Sequence, residues 1–334
     1  MGNSARRRWI ACLAGLSLAI ALSPACAGAP LAELRAQFAQ PDDQVDYATA
    51  KLVVDQIIDP ATDVNAVRQE LDHWEHAVRA NVPAGADGRR TLDALLKTLY
   101  EPGPWNDGRP FRYDLHDPQG RNPANKRLAV YLATRKGNCV SMPILVAILG
   151  RRLGLTITLA TAPKHVLAKF ADDTQQAWIN VEATGGGYKR DDSYIRDTGI
   201  SQAALDHGIY LRPLYPHESL GVIASTLMEH YARLGDGDAM MEVADLALAA
   251  NPRDTVAMIW KANAIYLQIQ VRYQRVYPRA AEIPPTEVAD FHRLQRENHT
   301  WFAKAHALGW AETTQDQDAR YLQSIEREKA RGNQ

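Results

Sequence analysis

The stretch Arg135-Lys136-Gly137-Asn138-Cys139-Val140-Ser141-Met142-Pro143 constrains this chain more than any other. Proline lacks the backbone N–H and its ring collides with the preceding helical turn, so Pro143 fits a helix only at its start. Ile144, Leu145, Ile148, Leu149 and Leu153 then recur at helical spacing and Gly154 ends the run. That spacing predicts a buried, rigid helix beginning close to Cys139, with the cysteine in its first turn. A helix N-terminus, with its positive dipole end and unpaired N–H groups, favours a thiolate, the form of cysteine that attacks carbonyls. Cys139 is therefore the candidate nucleophile.

The 334 residues carry 38 Lys and Arg against 39 Asp and Glu, a net charge of -1, and no long basic stripe follows the first residues. This balance gives no footprint for nucleic acid. The length leaves room for roughly two domains and a sizeable core.

Arg6-Arg7-Arg8, the apolar run from Trp9 to Leu22, and Ala25-Cys26-Ala27 ahead of Gly28 have the three-part form of a secretory signal. The apolar run is shorter than the ~20 residues of a membrane-spanning helix, so no span is expected once the signal is removed. Cleavage after Ala27 predicts a periplasmic or secreted protein. Ser23-Pro24-Ala25 is a poor approach sequence for lipidation of Cys26. Of the three cysteines, Cys12 and Cys26 fall within the presumed signal, which leaves Cys139 alone and rules out an internal disulfide in the mature chain. A lone thiol in an exported protein is either buried and inert or chemically used.

From Leu31 to about Tyr100 the pattern is helical, with Val45, Leu52, Val53 and Ile57 in one segment and Val64, Val67, Leu71, Trp74 and Val78 in the next, where Asp63 is the expected N-cap. His73 and His76 sit on that second helix without a zinc-protease spacing, so no metal is expected. Glu101 to Asn125 is rich in Pro, Gly, Asp and Asn and reads as a loop, packed down by Trp105, Phe111 and Tyr113. Leu128 to Thr134 forms a short helix.

Beyond the cysteine helix the pattern becomes extended. Thr156–Ala160, Val166–Phe170 and Ala177–Glu182 read as strands, with Asp172-Asp173 at a turn. Helices followed by antiparallel strands make an α+β fold. His165 opens the second strand; Trp178, Asn180, Glu182 and Thr184 share one face of the third, alongside it. A thiolate is a nucleophile at neutral pH when an imidazole pairs with it and a carboxylate or amide orients that imidazole. Cys139, His165 and either Glu182 or Asn180 supply these types, with the Cys139 N–H and Asn138 as candidate oxyanion or orienting groups. A carboxylate stabilises the imidazolium by charge as well as geometry, which favours Glu182. Gly185-Gly186-Gly187 reads as a flexible rim beside a cleft.

Gly137-Asn138-Cys139 at a helix start, His165 opening a strand, and Trp178-Ile179-Asn180-Val181-Glu182-Ala183-Thr184 on the next strand resemble the core of the transglutaminase-like superfamily, whose fold is related to papain-type thiol enzymes. Tyr113-Asp114 through Asn122, Arg135-Lys136-Gly137-Asn138 and Ser141 resemble its bacterial branch, in which this core precedes tetratricopeptide-like repeats. The resemblance implies a Cys-His-Asp triad carried by Cys139 and His165, with Glu182 at the aspartate position, and needs no cofactor.

From Glu218 onward the chain is helical, and Tyr231, Gly235, Ala247 and Asn251-Pro252 fall where a tetratricopeptide repeat wants an aromatic, a turn, a small packing residue and a stop. A looser unit starts at Asp254, with Ala262 and Tyr266, and Pro284-Pro285 interrupts it before Trp301 to Ala305. Fewer than three repeats are rarely stable alone, so these helices are expected to pack on the core. The expected organisation is a signal at 1–27, a transglutaminase-like domain at 28–216 and a tetratricopeptide-like region at 217–334. The expected function is thiol-dependent hydrolysis of a peptide or isopeptide bond in a peptide or protein substrate, with the C-terminal helices open to a protein partner. The rival is a non-enzymatic scaffold using the same cleft and helices.

Overall fold

The computed structural model describes residues 28–174, 177–320 and 322–323. The presumed signal, with Cys12 and Cys26, lies outside them, and Cys139 is the free cysteine among them. Four helices open the fold: α1 (Gly28–Phe38), α2 (Tyr47–Ile58), α3 (Val64–Asn81) and α4 (Gly88–Tyr100). Three have aspartate caps that satisfy the first unpaired N–H groups. Asp46 accepts from Ala48 and Thr49, Asp63 from Ala66, and Asp87 from Arg90. Val67, Leu71, Trp74 and Val78 of α3 are the buried stripe that the sequence spacing predicts.

Short elements follow: β1 (Arg112–Tyr113), α5 (Leu128–Thr134) and β2 (Lys136–Gly137), then α6 (Ser141–Arg152). Ser141 through Gly150 are buried without exception, so α6 is a core helix rather than an amphipathic one. Burying Ile144, Leu145, Val146, Ile148 and Leu149 contributes roughly 1.5–3 kcal/mol per side chain.

Four antiparallel strands, β3 (Ile157–Ala162), β4 (His165–Ala171), β5 (Trp178–Glu182) and β6 (Gly187–Tyr188), pair in sequence order. The β3–β4 hairpin closes on Ala162 opposite His165, so β3 runs two residues past the expected end at Ala160. The two-residue turn Pro163-Lys164 allows this: proline presets φ at the first position, and Lys164 takes a left-handed φ of 55° at the second. The three glycines expected as a loose rim instead form a tight return. Gly186 has φ 65° in a space bounded by Tyr100, and Gly187-Tyr188 pairs back onto β5.

Alternation gives the sheet two apolar faces. Ile157, Leu159, Ala168, Phe170 and Val181 join α6 in the main core. Ala160, Ala162 and Leu167 face a second cluster formed by Tyr194 of α7 (Asp191–Thr198), Ala204 of α8 (Gln202–Asp206), and Ile200, Ile209, Tyr210 and Leu211. His165, Lys169, Asn180 and Glu182 belong to this second face.

The remaining helices are α9 (Pro216–Leu234), α10 (Gly237–Ala250), α11 (Thr255–Ile269) and α12 (Pro285–Ala307), each packed on the next. Gly221 lets α9 approach α10 closely; a β-carbon there would sit 3.3 Å from that of Ala247. Leu220, Ile223 and Leu227 of α9 and Met240, Val243 and Ala247 of α10 belong to the same apolar cluster as α2 and α6, so α9 and α10 share the main core, while Ile265 and Ile269 of α11 pack with Phe291 and Leu294 of α12 in a separate cluster. Among the described residues no helix is long and apolar enough to cross a membrane.

Candidate active site

The turn that presents Cys139 is held from three sides. Arg135, at a left-handed φ of 57°, ends α5 and donates from Nη1 to the carbonyls of Asn106 and Arg109, 2.5 Å each, while its guanidinium lies 5.0 Å over the Trp74 ring. Trp74, Phe111 and Tyr131 stack edge to face at 4.9 and 5.0 Å beneath it. Gly137 passes so close to this stack that a β-carbon would fall 2.6 Å from the Tyr131 ring and 2.7 Å from Ser141 Oγ. The parallel pair β1–β2 ties the preceding loop to the same turn, with Asp114 N–H donating to Gly137 O at 2.8 Å.

Asn138 and Ser141 lock the turn from inside. Asn138 Oδ1 accepts from Val140 N–H at 3.0 Å and Ser141 N–H at 3.3 Å, while Ser141 Oγ accepts from Asn138 N–H at 3.2 Å and donates to Asn125 O at 2.7 Å. This side-chain turn competes with helix geometry and delays the helix start. Cys139 therefore sits just before the N-cap Val140, not inside the first turn, and Pro143 is the third helical residue. Asn138 is wholly buried, and its Nδ2 faces Gly120 without a hydrogen-bond partner among the described residues. Its side chain serves the turn that carries the cysteine. The Cys139 N–H bonds no other backbone group of the described residues, which leaves it available as an oxyanion donor.

Cys139 is partly exposed, with Sγ 3.8 Å from Lys164 O at the tip of the β3–β4 turn, and its side chain lies close enough to His165 to raise the imidazole pKa. On the other side of that imidazole, Nε2 lies 3.0 Å from Glu182 Oε2. Nε2 is thus committed to the carboxylate. Burial opposes a charge on His165, but the neighbouring Cys139 side chain and the hydrogen bond to Glu182, with its negative charge, outweigh it and push its pKa up to about 10. Burial likewise opposes the Glu182 charge. His165, Thr184 and Tyr194 outweigh that and hold the carboxyl down at about 2. Both shifts favour a charged imidazole paired with an ionised carboxylate beside the cysteine turn.

Glu182 has every contact filled. Oε1 accepts from Thr184 N–H at 3.2 Å and Thr184 Oγ1 at 2.5 Å, and Oε2 accepts from Tyr194 O–H at 2.5 Å as well as from His165. Asn180, two residues earlier on the same face, is elsewhere occupied: its Nδ2 donates to Asp191 Oδ1 at 2.5 Å, beside Lys169 Nζ at 3.5 Å from the same oxygen. Burial pulls the Lys169 ammonium below the ordinary lysine value, with Asp191 opposing. The structure thus brings Cys139, His165 and Glu182 together, sets Asn138 behind the turn, and sends Asn180 to a neighbouring polar cluster.

Sequence reasoning missed Tyr194 and the carbonyl of Lys164. Tyr194 stands in a polar stretch, Asp191-Asp192-Ser193-Tyr194, whose helix covers the sheet only in three dimensions. A backbone carbonyl leaves no mark on a sequence. His76 Nδ1 is spent on the Asp72 carbonyl, and the described residues contain no cluster of metal-ligating side chains.

Residues 65–216 match the family model described as the transglutaminase-like superfamily, a span running from α3 to the first residue of α9 and containing Cys139, His165, Glu182 and Tyr194. No curated protein and no solved structure matches the chain. The matched region carries a thiol, an imidazole and a carboxylate, the three types of group that thiol-dependent acyl transfer uses.

Proposed function

We propose that this protein is an exported thiol enzyme that cleaves an amide, a peptide or isopeptide bond, through a covalent acyl intermediate on Cys139. The Cys139 sulfur adds to the substrate carbonyl carbon, and the negative charge moves to the carbonyl oxygen, next to the Cys139 N–H. As the C–N bond breaks, the His165 imidazolium passes its proton to the departing amine. His165, now neutral, takes a proton from water as the water oxygen adds to the thioester, and collapse returns the thiolate with release of the acid. Glu182 keeps the imidazole in the tautomer and orientation these transfers need.

The observation that carries this reading is the placement of His165, with Nε2 3.0 Å from the Glu182 carboxylate and its chain neighbour Lys164 presenting a carbonyl 3.8 Å from Cys139 Sγ. Water is the default acceptor for the acyl group, which favours hydrolysis over transfer to an amine. The helices from α9 to α12 form a tetratricopeptide-like cap that receives a protein partner, and the leader at 1–27 directs export to the periplasm or beyond. Incubating the purified protein with an activated acyl ester and reading the intact mass tests the chemistry. The expected result is one acyl adduct on the Cys139 peptide, absent in Cys139→Ser and persistent in His165→Ala only as background. An adduct of equal yield in all three proteins would remove the reading.

A further inference from the structure

We infer that Tyr194 is a positioning residue of this site, whose hydroxyl pins the Glu182 carboxylate in the one orientation that serves His165. The inference rests on the proposed thiol chemistry for its purpose, but its geometry stands apart from the identity of the substrate. Tyr194 is buried on α7 and donates to Glu182 Oε2 at 2.5 Å, the same oxygen that takes His165 Nε2. Thr184 holds only the other oxygen. Glutamate has one methylene more than aspartate and hence one more torsion to restrain, so a carboxylate gripped at Oε1 alone is free to pivot about that grip. Tyr194 supplies the second anchor. Its ring is itself fixed: it packs with Ala160, Ala162 and Leu167, lies 5.8 Å from the His165 ring, and carries Lys189 Nζ 4.5 Å over its face, with Lys189 paired to Asp197 at 3.1 Å. A cation over the phenol ring also makes its O–H a stronger donor.

The groups that face the His165–Glu182 pair are accounted for element by element. Cys139 comes from the turn before α6, Thr184 follows β5, and Tyr194 comes from α7. Tyr100 of α4 faces Glu182 as a neutral phenol, raised by burial, and Asp191 lies near Tyr194. Burial and the Glu182 charge push the Tyr194 phenol far above its ordinary range, so it stays protonated and remains a donor.

Tyr194→Phe keeps the ring and removes the hydroxyl. Two readouts test the inference: the His165 titration followed by NMR, and the alkylation rate of Cys139 followed on its peptide by mass spectrometry. With the second anchor gone, Glu182 pivots away from Nε2, so the His165 titration moves to lower pH by about half a unit or more, and alkylation near pH 7 slows roughly fivefold. The same substitution in a Glu182→Ala background changes neither, because a residue that acts through Glu182 has nothing left to act on. An unmoved or upward-shifted His165 titration in Tyr194→Phe, or an equal loss in both backgrounds, overturns the inference and reduces Tyr194 to packing. Failure of the enzyme reading shows differently. In that case wild-type Cys139 alkylates no faster than a free thiol, while the His165 titration still reports on Tyr194.

Discussion

His165 Nε2 lies 3.0 Å from Glu182 Oε2, whereas Asn180, on the same strand face, donates to Asp191. Both residues meet the same positional requirement in the sequence, and the difference arises from α7. That helix places Asp191 over Asn180 and Tyr194 over Glu182, so the amide is drawn off and the carboxylate is held against the imidazole. The orienting member of the site is thus selected by a cover helix lying outside both partner strands.

Glu182→Gln is expected to lower Cys139 reactivity far more than Asn180→Ala, because the amide keeps the shape of the contact but loses the charge that holds the imidazolium. Alkylation of the Cys139 peptide across pH, in both variants, measures this. A larger loss in Asn180→Ala would transfer the orienting role to the amide.

The same pair sets a pH dependence of stability. His165 is raised from 6.5 to about 10 in the fold, so its contribution is complete below about 6.5 and is lost as pH rises through about 10. Glu182 is depressed from 4.5 to about 2, so its contribution is present above about 4.5 and is lost as pH falls toward about 2. The stability difference between wild type and Glu182→Gln should therefore be greatest near pH 5–6, at roughly 2–3 kcal/mol, the order of a hydrogen bond to a charged group. It should shrink toward both extremes. Urea unfolding at a series of pH values checks this; a difference that is flat across pH contradicts the assignment.

Gly137→Ala is expected to disturb the cysteine turn, because the new β-carbon would meet the Tyr131 ring and Ser141 Oγ inside van der Waals distance. Overpacking of this kind costs ~1–3 kcal/mol. Thermal unfolding should show the loss, and the Cys139 alkylation rate should fall with it, since the same shift moves the sulfur relative to His165. A normal melting temperature with normal reactivity would show that the turn yields without consequence.

Asp55→Ala is the test of how the N-terminal helices support the site. Lys51 and Asp55 form a fully buried pair on α2, 2.5 Å apart, and Asp55 Oδ2 also accepts the Leu128 N–H that begins α5 at 2.7 Å. Removing the carboxylate leaves a buried ammonium and an unpaired N–H, at a cost of ~3–5 kcal/mol by the measure of broken buried ion pairs. Denaturant unfolding of Asp55→Ala against wild type gives the number; a loss below about 1 kcal/mol would mean that water or another group reaches Lys51.

Much of this arrangement is legible in the sequence because it is written in local chemistry. Pro143 with its apolar followers marks α6, Asp63 marks the start of α3, and alternation places Glu182 on the His165 side of the sheet. What escaped is what only packing decides. The Asn138 side-chain turn moves the helix start past Cys139, and the glycines after Glu182 close into a turn against Tyr100. Tyr194 reaches Glu182 from a helix with no sequence link to it. Local propensity fixes what each segment becomes, but a partner twelve residues away across a helix cover follows from tertiary geometry alone.

The central claim, that Cys139 works as a thiolate paired with His165, is tested most directly by alkylation of the purified mature protein with iodoacetamide near pH 6, followed on the Cys139 peptide. A free cysteine of ordinary pKa, about 8.5, is under about 1 % thiolate there and reacts slowly. The account predicts that Cys139 reacts at least about tenfold faster than free cysteine and that His165→Ala abolishes the advantage. Equal rates for wild type, His165→Ala and free cysteine would contradict it.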